Sequence, residues 1–92
     1  MTIDGVNNKN YAADALVRTG AGTFYGITVN NHTSGTFKVI DGTSAGSGRV
    51  IHDTVTPASG PYVFTPPPSA FTTGLYIDIG GTINYTVHFK EA

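Results

Sequence analysis

The chain contains no cysteine, which excludes disulfides and every thiolate metal site. At 92 residues it makes one domain. A domain of this size buries only roughly two thirds of the surface its unfolded form exposes. Extra stabilisation therefore has to come from something other than disulfides, and partner subunits are the first candidate. Charge is scarce as well: 12% of residues, with a formal net of −1. The five basic residues, Lys9, Arg18, Lys38, Arg49 and Lys90, are scattered along the chain, whereas a nucleic-acid surface needs them clustered. Nucleic acid is not expected as a partner. No run approaches ~20 consecutive apolar residues, so no membrane-spanning segment is expected. Residues 1–10 are polar and lack the apolar stretch of a secretory leader. The expectation is a protein made in a reducing cytoplasm.

In place of charge, the chain is rich in Thr, Asn, Ser and Gly. Thr is β-branched and suits a pleated surface. Residues 1–14 carry Asn7, Asn8 and Asn10 with little apolar periodicity and read as an N-terminal arm; residues 15–92 read as a single β-sandwich domain. Tyr25, Ile27 and Val29 alternate with Phe24, Gly26, Thr28 and Asn30, and Phe37 and Val39 with Thr36, Lys38 and Ile40. The turn formers Asn31–Gly35 between them predict a hairpin that sets Val29 opposite Phe37 and Ile27 opposite Val39. Three Gly within residues 42–48 predict an exposed tip. In the segment Arg49–Val55, alternation allows either Ile51 and Val55 or Val50 and His52 on the buried face. Tyr62–Thr65 reads as a short strand stopped by Pro66, Pro67 and Pro68, which lack three backbone donors and belong at an edge or surface. Leu75, Ile77 and Ile79, then Ile83, Tyr85, Val87 and Phe89, alternate cleanly, and a three-residue turn Gly80-Gly81-Thr82 keeps one face apolar. No segment reads as a helix. The fold class is all-β: an antiparallel β-sandwich or jelly-roll-like barrel of roughly six to eight short strands.

Little here carries chemistry. His32, His52 and His88 show no close ligand spacing and read as surface residues. His52 and Asp53 are neighbours, but adjacent strand residues point to opposite faces and cannot form a dyad. Asp41-Gly42 reads as a strand-ending turn in which Asp bonds nearby backbone. No catalytic residue, metal or cofactor is expected, and the chain does not read as an enzyme. The triplets Asn31-His32-Thr33 and Asn84-Tyr85-Thr86 match a glycosylation acceptor only by chance in a chain without a leader. Exposed aromatics are the better signal. Tyr76 is expected to face away from Leu75, Ile77 and Ile79, and Phe24 away from Tyr25, Ile27 and Val29. Tyr11, Phe71, Pro66, Pro67 and Pro68 would extend the same protein-binding surface.

The runs Gly22-Thr23-Phe24-Tyr25-Gly26-Ile27-Thr28-Val29, Val39-Ile40-Asp41-Gly42-Thr43-Ser44-Ala45-Gly46 and Phe71-Thr72-Thr73-Gly74-Leu75-Tyr76-Ile77-Asp78-Ile79, with the closing Thr86-Val87, resemble a small β-domain of tailed-bacteriophage structural proteins. The resemblance spans Gly22 to Phe89. It implies a virion structural protein, made in the host bacterial cytoplasm and added to the particle. The leading form is a capsid decoration (cement) protein that binds and stabilises the head. It implies the major capsid protein or other virion proteins as partners, and a homo-oligomer, a trimer being one arrangement. A tail, neck or fibre component is the first alternative, because one fold serves several positions. A carbohydrate-binding β-sandwich module is the second. The resemblance brings no catalytic residues with it.

Overall fold

The computed structural model describes residues 6–46, 48–57 and 62–91. Within them the chain is all-β and antiparallel, as the alternation predicts. The seven strands are β1 (Val6–Tyr11), β2 (Ala15–Thr19), β3 (Gly22–Asp41), β4 (Arg49–Val55), β5 (Tyr62–Phe64), β6 (Ser69–Phe71) and β7 (Gly74–Glu91). Two of them are far longer than expected. Neither the hairpin at Asn31–Gly35 nor the turn at Gly80-Gly81-Thr82 forms. Both segments lie inside continuous strands, β3 and β7, which pair with each other from Gly22↔Glu91 to Asp41↔Leu75. Ile27 therefore stands opposite Val87, Val29 opposite Tyr85, Phe37 opposite Ile79 and Val39 opposite Ile77.

A straight 20-residue strand would run about 66 Å at about 3.3 Å per residue, yet the molecule measures only 33 × 31 × 20 Å. The β3–β7 ribbon must double back on itself. Its register shows how. Between Phe24 and Gly26, between Val29 and Asn31, and between His32 and Ser34, β3 carries one residue more than β7. Each such bulge bends the strand and raises its twist. Two positions there demand glycine. Gly26 has φ 151°, and a Cβ on it would sit 2.4 Å from the Phe64 carbonyl oxygen; Gly35 has φ 149°, and its Cβ would sit 2.4 Å from the Gly80 carbonyl oxygen. A side chain would block both the backbone conformation and the close approach of the neighbouring strand.

The remaining strands follow the ribbon around its bend. Along β7, β1 pairs with the C-terminal half (Val6↔Lys90 to Tyr11↔Tyr85) and β2 with the N-terminal half (Ala15↔Ile77 to Thr19↔Gly74). Along β3, β4 flanks the C-terminal half, while β5 and β6 flank the N-terminal half. Two layers result. The front layer holds β1, the second half of β7, the first half of β3, and β5 with β6; the back layer holds β2, the first half of β7, the second half of β3, and β4. One hydrophobic core lies between them, with Phe24, Ile27, Val29, Tyr85, Val87 and Phe89 from the front and Val17, Phe37, Val39, Leu75 and Ile77 from the back. Phe37 of the back layer meets Phe64 of the front layer edge to face, centroids 5.3 Å apart.

Four sequence expectations change. Phe24 is fully buried, because the bulge at Tyr25 flips the phase of β3 and puts Phe24 on the same inner face as Ile27 and Val29. Phe71 is buried as well, at the end of β6 opposite Gly22, where the absence of a Cβ lets its ring lie against the backbone. Neither aromatic belongs to an outer surface. Residues 6–11 are not a loose arm but an edge strand; Met1–Gly5 lie outside the described residues. His52 is half-buried, with its Nε2 atom buried. Ile51 and Val55 pack against the core, as one of the two alternations allows. Two irregularities in the β3–β4 register bring His52 to the core side as well, opposite Val39 and against Phe24 and Phe64, and leave Val50 outside.

These phases make a direct prediction. Phe24→Ala lowers stability by about 3–5 kcal/mol, as for a buried Phe, whereas Leu16→Ala on the exposed face of β2 changes it by less than about 1 kcal/mol. Urea unfolding of the two variants is the measurement. Equal effects would contradict the bulge.

Candidate functional site

The outer face of the back layer carries a row of apolar side chains that crosses all four strands. Leu16 stands opposite Tyr76, Tyr76 opposite Ile40, and Ile40 opposite Val50. The row exists because neighbouring strands place directly opposed residues on one face. Its ends are open to solvent, with Leu16 44% and Val50 46% exposed, while Ile40 between them is buried. Exposed apolar side chains aligned on one outer sheet face mark an interaction surface more strongly than scattered ones do.

A charged row runs beside it. Two residues further along β3 and β7, Lys38 stands opposite Asp78, and its ammonium lies 3.6 Å from Asp53 on β4. Asp14 completes the row at the β2 end, accepting a 2.7 Å hydrogen bond from the Ile79 N–H and a long one from the Tyr76 hydroxyl. Burial, then Asp14 and Asp78, push the Tyr76 hydroxyl above its ordinary pKa, so it stays a neutral donor. Three carboxylates against one ammonium leave this row net acidic.

The front layer's outer face differs in kind. Asn8 and Asn10 of β1, Asn84, Thr86 and His88 of β7, and Thr28 and Asn30 of β3 form an uncharged polar ladder. The Asn10 amide donates to Asn84 Oδ1 (3.1 Å) and Thr86 Oγ1 (3.2 Å), and the Asn30 amide donates to Thr86 Oγ1 (3.0 Å). His88 sits between Asn8 Oδ1 at its Nδ1 and Thr28 Oγ1 at its Nε2, the latter 2.8 Å away. A neutral ring satisfies both, donating at Nδ1 and accepting at Nε2. Burial holds its pKa below the ordinary histidine value.

Of the residues expected at a surface, Tyr76 alone lies in the apolar row. Tyr11 is half-buried at the end of β1, its ring 5.8 Å from that of Tyr85. Pro66, Pro67 and Pro68 link β5 to β6 along the flank of β3, the edge position their missing donors require. They sit in the front layer, so the sequence-predicted residues do not converge on one patch. Leu16, Ile40 and Val50 were not anticipated. Their pairing depends on the bulges and on β3 running unbroken, neither of which local periodicity reports.

Two further polar residues emerge from the structure. Asp41 ends β3 and is buried, and its carboxylate accepts from the backbone N–H groups of Thr72 (3.1 Å), Thr73 (2.9 Å) and Gly74 (3.4 Å), with Arg49 Nη2 at 3.3 Å. The Asp41-Gly42 turn thus bonds backbone 31 to 33 residues away, not its own neighbours. Burial works to raise the Asp41 pKa, but the three backbone donors and Arg49 outweigh it and hold the carboxyl below its usual range. With these donors its oxygens are engaged, and among the described residues no group of three or more His, Asp or Glu side chains could hold a metal ion. His52 packs its ring against Phe24 and Phe64 (centroids 5.8 and 5.1 Å), and its buried Nε2 has no hydrogen-bond partner. Asp53 points the other way, as expected from its adjacency to His52, and pairs with Lys38.

No family model matches the chain; no curated protein and no solved structure matches it either.

Asp41 and His52 give pH predictions of the same sign at different pH. The Asp41 pKa is depressed in the fold, so its contribution is complete above the unfolded value of about 3.9 and is lost as pH falls through the folded value. Asp41→Asn costs about 3 kcal/mol at pH 7, because an amide donor now faces backbone donors; the gap to the native chain narrows below about pH 4. Burial depresses the His52 pKa, so its neutral form favours the fold and stability drops as pH falls below about 6.5. His52→Leu flattens the loss between about pH 7 and 5, leaving, among the described side chains, the part due to His88. Unfolding midpoints measured across pH check both.

Proposed function

We propose that this chain is a virion structural protein that acts by binding protein, as a decoration subunit docked on the outside of a phage head. The position on the particle comes from the sequence resemblance. The observation that carries the binding reading is the apolar row Leu16–Tyr76–Ile40–Val50 on the outer face of the back layer. A rigid sheet holds these side chains in place, so little conformational entropy is lost when a partner covers them. The acidic row of Asp14, Asp78 and Asp53 beside it favours a capsid surface that offers an apolar patch rimmed by Lys or Arg. A carbohydrate-binding reading has less support. The amides of the front face that could bind sugar hydroxyls are already engaged with one another through Asn10, Asn84, Thr86 and Asn30.

The paired substitution Leu16→Asp and Val50→Asp tests this. Both sites are exposed, so the unfolding free energy shifts by less than about 1 kcal/mol, while retention on purified heads falls at least about tenfold, the loss of about 1.4 kcal/mol of binding. Counting copies per particle by quantitative mass spectrometry separates head from tail, since hundreds of copies fit only the head and a handful only the tail. Equal retention of native and variant chains on heads, or absence of the chain from particles, would remove the proposal.

A further inference from the structure

We propose that β1 is a docking edge for a second copy of this chain, joined through antiparallel β1–β1 pairing that makes the front layers of two copies one continuous sheet. Among the described residues the sheet has exposed edges, and all but one are guarded in ways natural sheets use against unwanted pairing. On β4 the register with β3 is broken twice, and the Asp53 carboxylate takes the Thr54 N–H at 2.8 Å. β5 and β6 are three residues each, with Pro66, Pro67 and Pro68 between them. The β2 register with β7 breaks between Leu16 and Arg18.

β1 has none of these devices. Its six residues pair with β7 in unbroken register, contain no proline, and end the order of strands in the sheet. Its one charge, Lys9, does not stand guard: the ammonium lies over the Phe89 ring, 5.9 Å from its centroid, turned toward the inner face. The edge offers a regular row of backbone groups flanked by neutral amides.

The side chains favour a second copy and set its register. A two-fold axis perpendicular to the sheet keeps outer face beside outer face, so only residues of the same face can stand opposite each other. Asn8 and Asn10 share the outer face with His88 and Thr86, and Asn7, Lys9 and Tyr11 share the inner face with Phe89, Val87 and Tyr85. Centred on Asn8, the pairing sets Asn8 opposite its own counterpart, Asn7 opposite Lys9, and Val6 opposite Asn10, with no like charges opposed. Centred on Lys9, it would set two ammonium groups face to face, which cross-strand pairs disfavour. The polar ladder Asn30–Thr86–Asn10 then continues across the axis into the second copy. This interface is separate from the apolar row of the back layer, so either can fail without the other.

The cysteine-free chain makes the test clean. In the Asn8-centred register the opposed Cβ atoms lie about 4.5–5.5 Å apart, near disulfide reach. Asn8→Cys is therefore expected to form a covalent dimer under mild oxidation about 10²-fold faster than Thr43→Cys, an exposed loop position, at micromolar protein. The native chain should show twice the monomer mass by light scattering at high concentration. Its β1 amides should gain hydrogen-exchange protection as concentration rises, a readout that needs no substitution. Asn8→Cys oxidising no faster than Thr43→Cys, together with β1 exchange that is independent of concentration, overturns the proposal. A dimer whose β1 amides stay unprotected also overturns it and points to a different surface. So does protection that appears only with capsid protein present, which would assign the edge to a foreign strand.

Discussion

Two strands of 20 and 18 residues cannot lie flat in a body 33 Å long, and the doubling back of the β3–β7 ribbon is the constraint that the rest of the fold obeys. Once the ribbon folds, its two halves face each other and their inner side chains make one core. The edge strands have to follow the bend, which is why β1 and β2 succeed each other along β7, and β4, β5 and β6 along β3. The bulges in β3 supply the curvature and also decide which residues reach the core. At the open end the chain crosses between layers twice, at Gly20–Ala21 and at Thr72–Thr73. The Gly20 N–H to Thr73 carbonyl bond and the Asp41 carboxylate hold the crossings together. A buried carboxylate is tolerable there because backbone donors and Arg49 surround it.

The two outer faces offer different chemistry to a partner. The front carries an uncharged, internally hydrogen-bonded ladder, with Lys90 and the exposed Val63 beside it, so covering the ladder itself wins little beyond what water already provides. The back presents an apolar row beside an acidic one, where burial releases water and charge selects among partners. The virion role proposed for the chain needs one sticky face and one well-hydrated face, since a subunit on a particle's exterior meets protein on one side and solvent on the other.

Much of the fold was legible in the sequence because strand alternation is a local signal. Leu75, Ile77, Val87 and Phe89 reach the core as their period-two pattern predicts. The prolines stop β5 and sit at an edge. What could not be read was continuity. Asn31–Gly35 and Gly80-Gly81-Thr82 carry turn chemistry, yet tertiary pairing along 20 residues outweighs local turn preference, and the same glycines serve as bends. A bulge leaves no mark in hydropathy, so alternation alone puts Phe24 on the wrong face and Phe71 at a surface it does not reach. Residues 6–11 have little apolar periodicity because their outer face is an amide ladder and their inner face is covered by only a few side chains, including Lys9 over Phe89. The apolar row of the back layer was beyond sequence reasoning for the same cause: it is assembled from four strands, and Tyr76 was its one legible member.

The sharing of β3 and β7 by both layers bears on how the chain finds its fold. Neither layer can assemble and wait for the other, because each is built on the same two strands; cooperativity is imposed by connectivity. The cost of closing a contact grows with the length of chain between its partners, and along this ribbon that length shrinks steadily toward one end, where Asp41 and Gly74 are 33 positions apart. Zipping therefore starts most cheaply at the Asp41 end, where the short β3–β4 connection also lies, and runs toward Gly22 and Glu91. The many long-range pairs make the whole process slow for a domain of this size.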